Sequence, residues 1–143
     1  MSATSISSYQ PNDFESERAS NGYLMSVVAV MVGLPLPIIN LVATGFFYLG
    51  NRSSTYYVRW NCIQALLSQL FIVAMNSVGL SWTLSIVFGD NTLTNQYVAY
   101  MLTILIFNIA EFVMNIAAAI QTRKGKLVYF WLFGPLSDLL CRK

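Results

Sequence analysis

From Trp60 to Phe88 the chain carries no charged residue, and from Tyr97 to Ile120 it carries one, Glu111. About 20 apolar residues, rising about 1.5 Å each, cross a hydrocarbon core roughly 30 Å thick, so each stretch predicts a membrane-spanning helix. The first runs from about Val58 to Phe88, longer than a span needs, and is expected to tilt or to begin in the headgroup zone. Composition agrees: 56% of residues are hydrophobic and only 10% charged, against roughly a quarter charged in soluble domains. The mean hydropathy is +0.58. With 143 residues there is room for three or four membrane segments and no separate soluble domain.

Residues 1–12 are rich in Ser and Thr and read as a flexible polar tail, followed by a single α-helical membrane domain over 13–143. The tail lacks the basic region, apolar core and cleavage site of a secretory signal, so the first apolar run is expected to be retained. That run, 23–50, is interrupted by Leu34-Pro35-Leu36-Pro37, which removes backbone donors and disfavours helix just before each proline. Asn40 reads as the N-cap of a second short helix ending near Gly50. The block is therefore one kinked span or a hairpin of two short arms. Gly89-Asp90-Asn91 signals a turn before the span at 97–120. The last apolar segment, 127–140, contains Gly134-Pro135 and would reach only about 21 Å as a helix, so it is expected to lie in the interface, with Arg142 and Lys143 at its end. The predicted fold class is an all-α integral membrane protein: a proline-broken N-terminal helical hairpin, two long transmembrane helices and a short C-terminal interfacial helix.

Arg52 and Arg59 bracket one loop, and Arg123, Lys124 and Lys126 the other. Basic loops stay in the cytoplasm, which places Asp90 outside and both termini inside. These five residues and Trp60 are the expected membrane-surface anchors, with Trp82, Tyr129 and Trp131 as further aromatic anchors.

Polar residues inside the apolar blocks follow helical spacing. Turned at 100° per residue, Asn61, Gln64, Ser68, Gln69 and Asn76, with Gly79 and Thr83, fall within an arc of about 140°. On the third block Tyr97, Tyr100, Asn108, Glu111, Asn115 and Thr122 also share a face. Lipid satisfies none of these groups, so both faces should turn inward. Measured from the basic side, Asn115 matches Gln64 in depth and Glu111 matches Ser68 and Gln69, which predicts two rungs of a ladder. Its role is either to hold the helices together or to form a polar path.

Several function classes are disfavoured. The chain has no histidine, and Cys62 and Cys141 lack metal-ligand spacing, so no metal or cofactor site is expected. There is no acidic pair at catalytic spacing and no phosphate loop, and an enzyme is not expected. A net charge of +2 confined to short loops argues against nucleic acid.

The order of motifs, Leu36-Pro37-Ile38-Ile39-Asn40-Leu41-Val42-Ala43, then Tyr57-Val58-Arg59-Trp60-Asn61, Gln64-Ala65-Leu66, Ala117-Ala118-Ala119-Ile120 and Gly125-Lys126-Leu127-Val128-Tyr129, resembles a family of small bacterial four-helix membrane proteins. These are related to the Tic-type import-channel subunit of the chloroplast inner envelope. The chain departs from the family pattern at Asn61, where histidine is usual, and near Thr44, where a second proline is common. The resemblance implies a four-helical membrane fold opening on a hairpin, and protein transport for the plastid branch.

The expected partners are the lipid bilayer and other membrane subunits or copies of the chain itself, in a bacterial inner membrane. The function that follows is non-enzymatic association within a membrane complex. The alternative is a channel or carrier whose path runs by Gln64, Gln69, Asn108, Glu111 and Asn115.

Overall fold

The computed structural model describes residues 9–33, 37–89 and 91–141. Among these the secondary structure is entirely helical: α1 Asp13–Gly33, α2 Pro37–Asn51, α3 Tyr56–Val87, α4 Asn95–Arg123 and α5 Phe133–Leu140.

Helix α1 begins at Asp13, the expected start of the membrane domain and ahead of the apolar block at Tyr23, because Asn12 and Glu15 close a reciprocal capping box. The Glu15 N–H donates to Asn12 Oδ1 at 2.8 Å and the Asn12 N–H to Glu15 Oε2 at 3.1 Å, which satisfies two donors that a helix start leaves open. The Tyr9 hydroxyl donates to the same carboxylate. Of the expected tail, residues 1–8 lie outside the described residues, and Tyr9 and Asn12 are bonded to α1.

The break at Leu34, Pro35 and Leu36 also lies outside the described residues. Pro37 itself opens α2, where its fixed φ suits the first turn and its missing N–H costs nothing. Asn40 is thus inside the helix and not its cap, which corrects the expectation. The two arms pack against each other, so the block is a hairpin. At 15 residues, α2 reaches about 22 Å, too short to cross a bilayer.

At the start of α4, Thr94 accepts the Tyr97 N–H at 3.2 Å. Its end is a complete Schellman motif: Lys126 N–H donates to Gln121 O at 3.1 Å, Gly125 N–H to Thr122 O at 2.9 Å, and Gly125 sits at φ 73°. A side chain at that φ costs about 1–2 kcal/mol. Gly125→Ala is expected to lose that much in thermal unfolding in micelles, whereas Gly50→Ala, within α2 and with open space around its Cβ, should lose nothing.

The final segment departs from expectation. Helix covers only Phe133–Leu140, and residues 127–130 run without helix into the core, where Phe130 is buried. Two causes are visible. The Gln64 side chain takes the Val128 carbonyl and the Phe130 N–H, groups a helix would have paired. Pro135, in the first turn of α5, starts that helix instead of interrupting it. The Tyr129 ring lies 2.5 Å from where a Cβ on Gly134 would stand, so this close approach requires glycine. Arg142, Lys143 and Asp90 lie outside the described residues.

All five helices meet at one end. Helix α1 packs on α4 and α3, α2 on α1 and α3, and α5 on α3. The buried clusters sit there, one around Trp60, Cys62 and Cys141, the other around Tyr23, Ala118 and Phe130. The buried residues of α3 fall between Tyr57 and Val73, apart from Gly79, and those of α4 between Glu111 and Thr122. Beyond them, among the described residues, α3 and α4 continue packed mainly on each other. Both described ends of the chain lie at the five-helix end: the Tyr9 ring is 6.3 Å from that of Tyr57, and Arg59 donates to Cys141 O at 3.4 Å.

Helices α3 and α4 are the two long and apolar enough to cross a membrane, and in the most apolar 18-residue stretch of each only 17% is buried. Leu80, Leu84, Leu102, Leu105, Ile106 and Ile109 all point outward.

Candidate functional site

The polar residues of α3 and α4 recur at spacings of three, four and seven, so they line up where the helices touch. The contact is a polar seam running the length of the pair. At the basic end the Tyr57 hydroxyl donates to the Thr122 and Lys126 carbonyls at 3.4 and 3.3 Å. One turn deeper, the Tyr23 hydroxyl from α1 donates to Asn61 Oδ1 at 3.0 Å and accepts from Gln64 Nε2 at 2.9 Å.

The next level is the densest. Ser68 Oγ, Gln69 Nε2 and Asn115 Nδ2 all donate to one oxygen, Glu111 Oε1, at 2.9, 2.5 and 2.5 Å. Asn76 and Asn108 then exchange amide bonds at 3.0 and 2.8 Å. Past them Tyr100 donates to the Met75 carbonyl at 3.1 Å, and Thr83 and Tyr97 pair through their hydroxyls at 2.9 Å.

Glu111 therefore meets Ser68 and Gln69, as depth and face predict. The Asn115 to Gln64 rung does not form, which corrects the ladder. Asn115 lies one turn from Glu111 on the same helix and reaches its carboxylate directly, while Gln64 is occupied by Tyr23 and the segment at 128–130. The carboxyl oxygen is within reach along α4 itself, so Asn115 pairs there without competing for a side chain of α3.

Trp60 is fully buried, not a headgroup anchor as expected. Its Nε1–H donates to Asp138 Oδ1 at 2.9 Å and its ring stacks on Tyr129 at 5.9 Å, because α5 folds back over the start of α3. Arg59 is likewise turned to the chain, on the Cys141 carbonyl and the Tyr56 ring. Arg52, Arg123, Lys124 and Lys126 are exposed, and so is Trp131.

Sequence reasoning passed over Tyr23, read as the first residue of an apolar run, and Asp138, which lies within the segment read as an interfacial helix. A buried tyrosine needs a hydroxyl partner, and that was the only available signal. Tyr23→Phe removes the bridge between Asn61 and Gln64 and is expected to cost about 1–2 kcal/mol of unfolding free energy. Tyr97→Phe, at the half-exposed far end, should cost clearly less in the same measurement.

Among the described residues, four buried side-chain oxygens have no hydrogen-bond partner: Asn51 Oδ1, Gln69 Oε1, Asn115 Oδ1 and Thr122 Oγ1. Two of them belong to the amides on Glu111. Beside that carboxylate opens a cleft of about 260 Å³ whose wall includes Ser68, Phe71, Phe107, Glu111, Phe130 and Phe133. Among the described residues no group of three His, Cys, Asp or Glu stands together as a metal site. Outside the long helices, burial alone would raise the Glu15 carboxyl, but bonds from Tyr9, Asn12 and Thr55 outweigh it and hold it below the usual carboxylate range. That contribution is present above the ordinary carboxylate pKa and lost as the pH falls through the lowered one. Burial pushes the Cys141 thiol up despite Arg59 beside it, which keeps it protonated and unreactive.

Such an arrangement, a five-helix cluster from which two apolar helices extend around a polar seam, defines a small all-helical protein with two candidate membrane spans. Residues 19–136 match the model of the magnetosome magnetite crystal formation protein family, and the chain belongs to that family. This overturns the resemblance to Tic-type proteins, and the protein-transport reading goes with it. The motifs that carried the resemblance serve general needs of a helical hairpin: Pro37 starts α2, the alanines let α1 approach α4, and Gly125 caps α4. Curated proteins and solved structures give no match to the chain.

Proposed function

We propose that this is a non-enzymatic, multi-pass protein of the magnetosome membrane that supports magnetite crystal formation by associating with other membrane proteins or with copies of itself. Helices α3 and α4 cross the bilayer, the five-helix end and both termini lie on the basic side, and the turn at 89–94 lies on the other. The observation that carries this reading is the inverted arrangement of the two long helices. Their large aliphatic side chains face outward and are mostly uncovered, while their polar groups face each other. Water would reward the opposite arrangement, and hydrocarbon rewards this one. Exposed apolar surface of that extent is covered by lipid or by a partner. The family's part in crystal formation supplies the setting.

Reporter tags at Ser2 and Lys143, with a third in the loop after Gly89, test the topology in cells. Both terminal tags should report from the same side and the loop tag from the opposite one. Recovery of the untagged chain in the soluble fraction after alkaline carbonate washing would rule the reading out. Deleting the chain should alter the size or number of magnetite crystals, and normal crystals would remove the proposed role.

A further inference from the structure

Gly22 of α1, Phe47 of α2 and Cys62 of α3 meet at one level: a Cβ on Gly22 would stand 3.3 Å from Cys62 Sγ and 3.5 Å from the Phe47 ring. From there α1 runs on to Gly33, α2 back to Pro37, and α3 on to Val73, its last buried residue before Gly79. At about 1.5 Å per residue each covers about 15–17 Å, so all three reach one level together. Two contacts along the way hold that register, Ser26 to Thr44 at 3.3 Å and Leu66 at 4.0 Å from a Cβ on Gly45. Helix α5 and the stretch before it stay within the same interval, since Asp138 bonds Trp60 and the Phe133 ring lies 6.0 Å from that of Phe71.

That level is the middle of the two long helices. The uncharged stretch from Trp60 to Phe88 is centred on Ala74, and the stretch from Tyr97 to Ile120 is centred next to Asn108. Asn76 and Asn108 are bonded to each other there. The hairpin of α1 and α2 therefore enters from the basic side and ends near half depth. It belongs in lipid and not above it: no charged residue falls between Ala19 and Asn51, and Ile38, Val42, Phe46 and Leu49 turn an apolar stripe outward along α2. Parts of five helices thus crowd one leaflet, and only α3 and α4 continue through the other.

We propose that the molecule acts as a wedge whose partner is curved lipid, and that it favours a membrane bulging towards the basic side. A helix about 10 Å across fills about 80 Å² of a leaflet, so α1 and α2 add about 160 Å² to the basic-side leaflet with no counterpart opposite. Helix α5 adds to that surplus. A bend that puts the basic-side leaflet on its convex face spreads that leaflet and accommodates the extra area. One-sided insertion makes amphipathic helices sensitive to curvature for the same geometric reason. This inference rests on the reading of α3 and α4 as membrane spans and adds to it a preference for membrane shape.

The test uses the sign of the effect. Protein is reconstituted in both orientations into giant vesicles of phosphatidylcholine, and narrow tubes are drawn outward, so that the outer leaflet is the convex one. A membrane-impermeant maleimide dye added from outside to Ser2→Cys marks only molecules with the basic side out, and added to Thr92→Cys only those with the turn out. The unsubstituted chain, whose two cysteines are buried, is the blank. Relative to a lipid dye, the Ser2→Cys label should be enriched several-fold in the tubes and the Thr92→Cys label depleted several-fold. Equal partition of the two labels overturns the proposal, as does enrichment of both or the reverse order.

A second measurement tests the cause. Ile38→Cys and Val42→Cys, outward on α2, should resist the impermeant dye in intact vesicles and take it up in denaturing detergent. Labelling in intact vesicles places the hairpin outside the bilayer and also overturns the proposal. Each of these failures leaves the membrane reading standing, whereas extraction by alkaline carbonate defeats that reading separately.

Discussion

Glu111→Leu should cost the protein about 2–4 kcal/mol of stability, and Glu111→Gln less than about 1 kcal/mol. Leucine removes the one oxygen that accepts from Ser68, Gln69 and Asn115, leaving a hydroxyl and two amides facing an alkyl chain. An orphaned buried donor costs about 1–3 kcal/mol in a water-soluble interior. Interhelical bonds within a bilayer average nearer 0.6 kcal/mol, because an unfolded helix in lipid also finds partners, and the combined expectation lies between these limits. Glutamine keeps a carbonyl oxygen in the position of Oε1 and turns its amide nitrogen towards the cleft. Chemical or thermal unfolding in micelles measures the difference. Should leucine prove as stable as glutamine, the inward polar seam does not hold the helices together.

Gln64→Leu is the second large effect, about 2–5 kcal/mol, with a specific local signature. One side chain donates to Tyr23 Oη and the Val128 carbonyl and accepts the Phe130 N–H. The last two are backbone groups in a stretch without helix, and Phe130 is buried, so water does not replace what is lost. Hydrogen exchange at the Phe130 amide, slow in the native protein, should become fast in the variant before the α3 amides change. The residues after Lys126 should loosen with it, and α5 with them, since Trp60 and Asp138 join α5 to α3. An unchanged Phe130 exchange rate would show that the segment is held by its apolar contacts alone.

The meeting of Glu111 with Ser68 and Gln69 was legible because it rests on regularity: 100° and about 1.5 Å per residue place groups by angle and depth before any packing is known. The Asn115 to Gln64 rung failed on the same arithmetic. Equal depth makes two groups available to each other, but the choice among partners depends on what else arrives at that level. Here the rival partners were a carboxylate one turn away on α4 and a backbone segment more than sixty residues along the chain from Gln64. Trp60 was misplaced for a similar reason, because aromatic residues near a helix end suit the headgroup zone until another element folds over them. Family membership was also misread from motif order. Prolines, capping glycines and small residues record backbone demands common to many helical hairpins, and these say little of descent or role.

By itself the sequence determined that α3 and α4 are long apolar helices, that each has one polar face, and that the basic residues gather at one end. Those properties follow from composition and from a period of 3.6 residues, which are local. Only the tertiary structure decided that α1 supplies Tyr23 to the seam, that residues 127–130 abandon helix for Gln64, and that three donors converge on one oxygen of Glu111. Such pairings join residues distant in the chain, and each is settled by competition among several polar groups for the few partners that a dry interior offers.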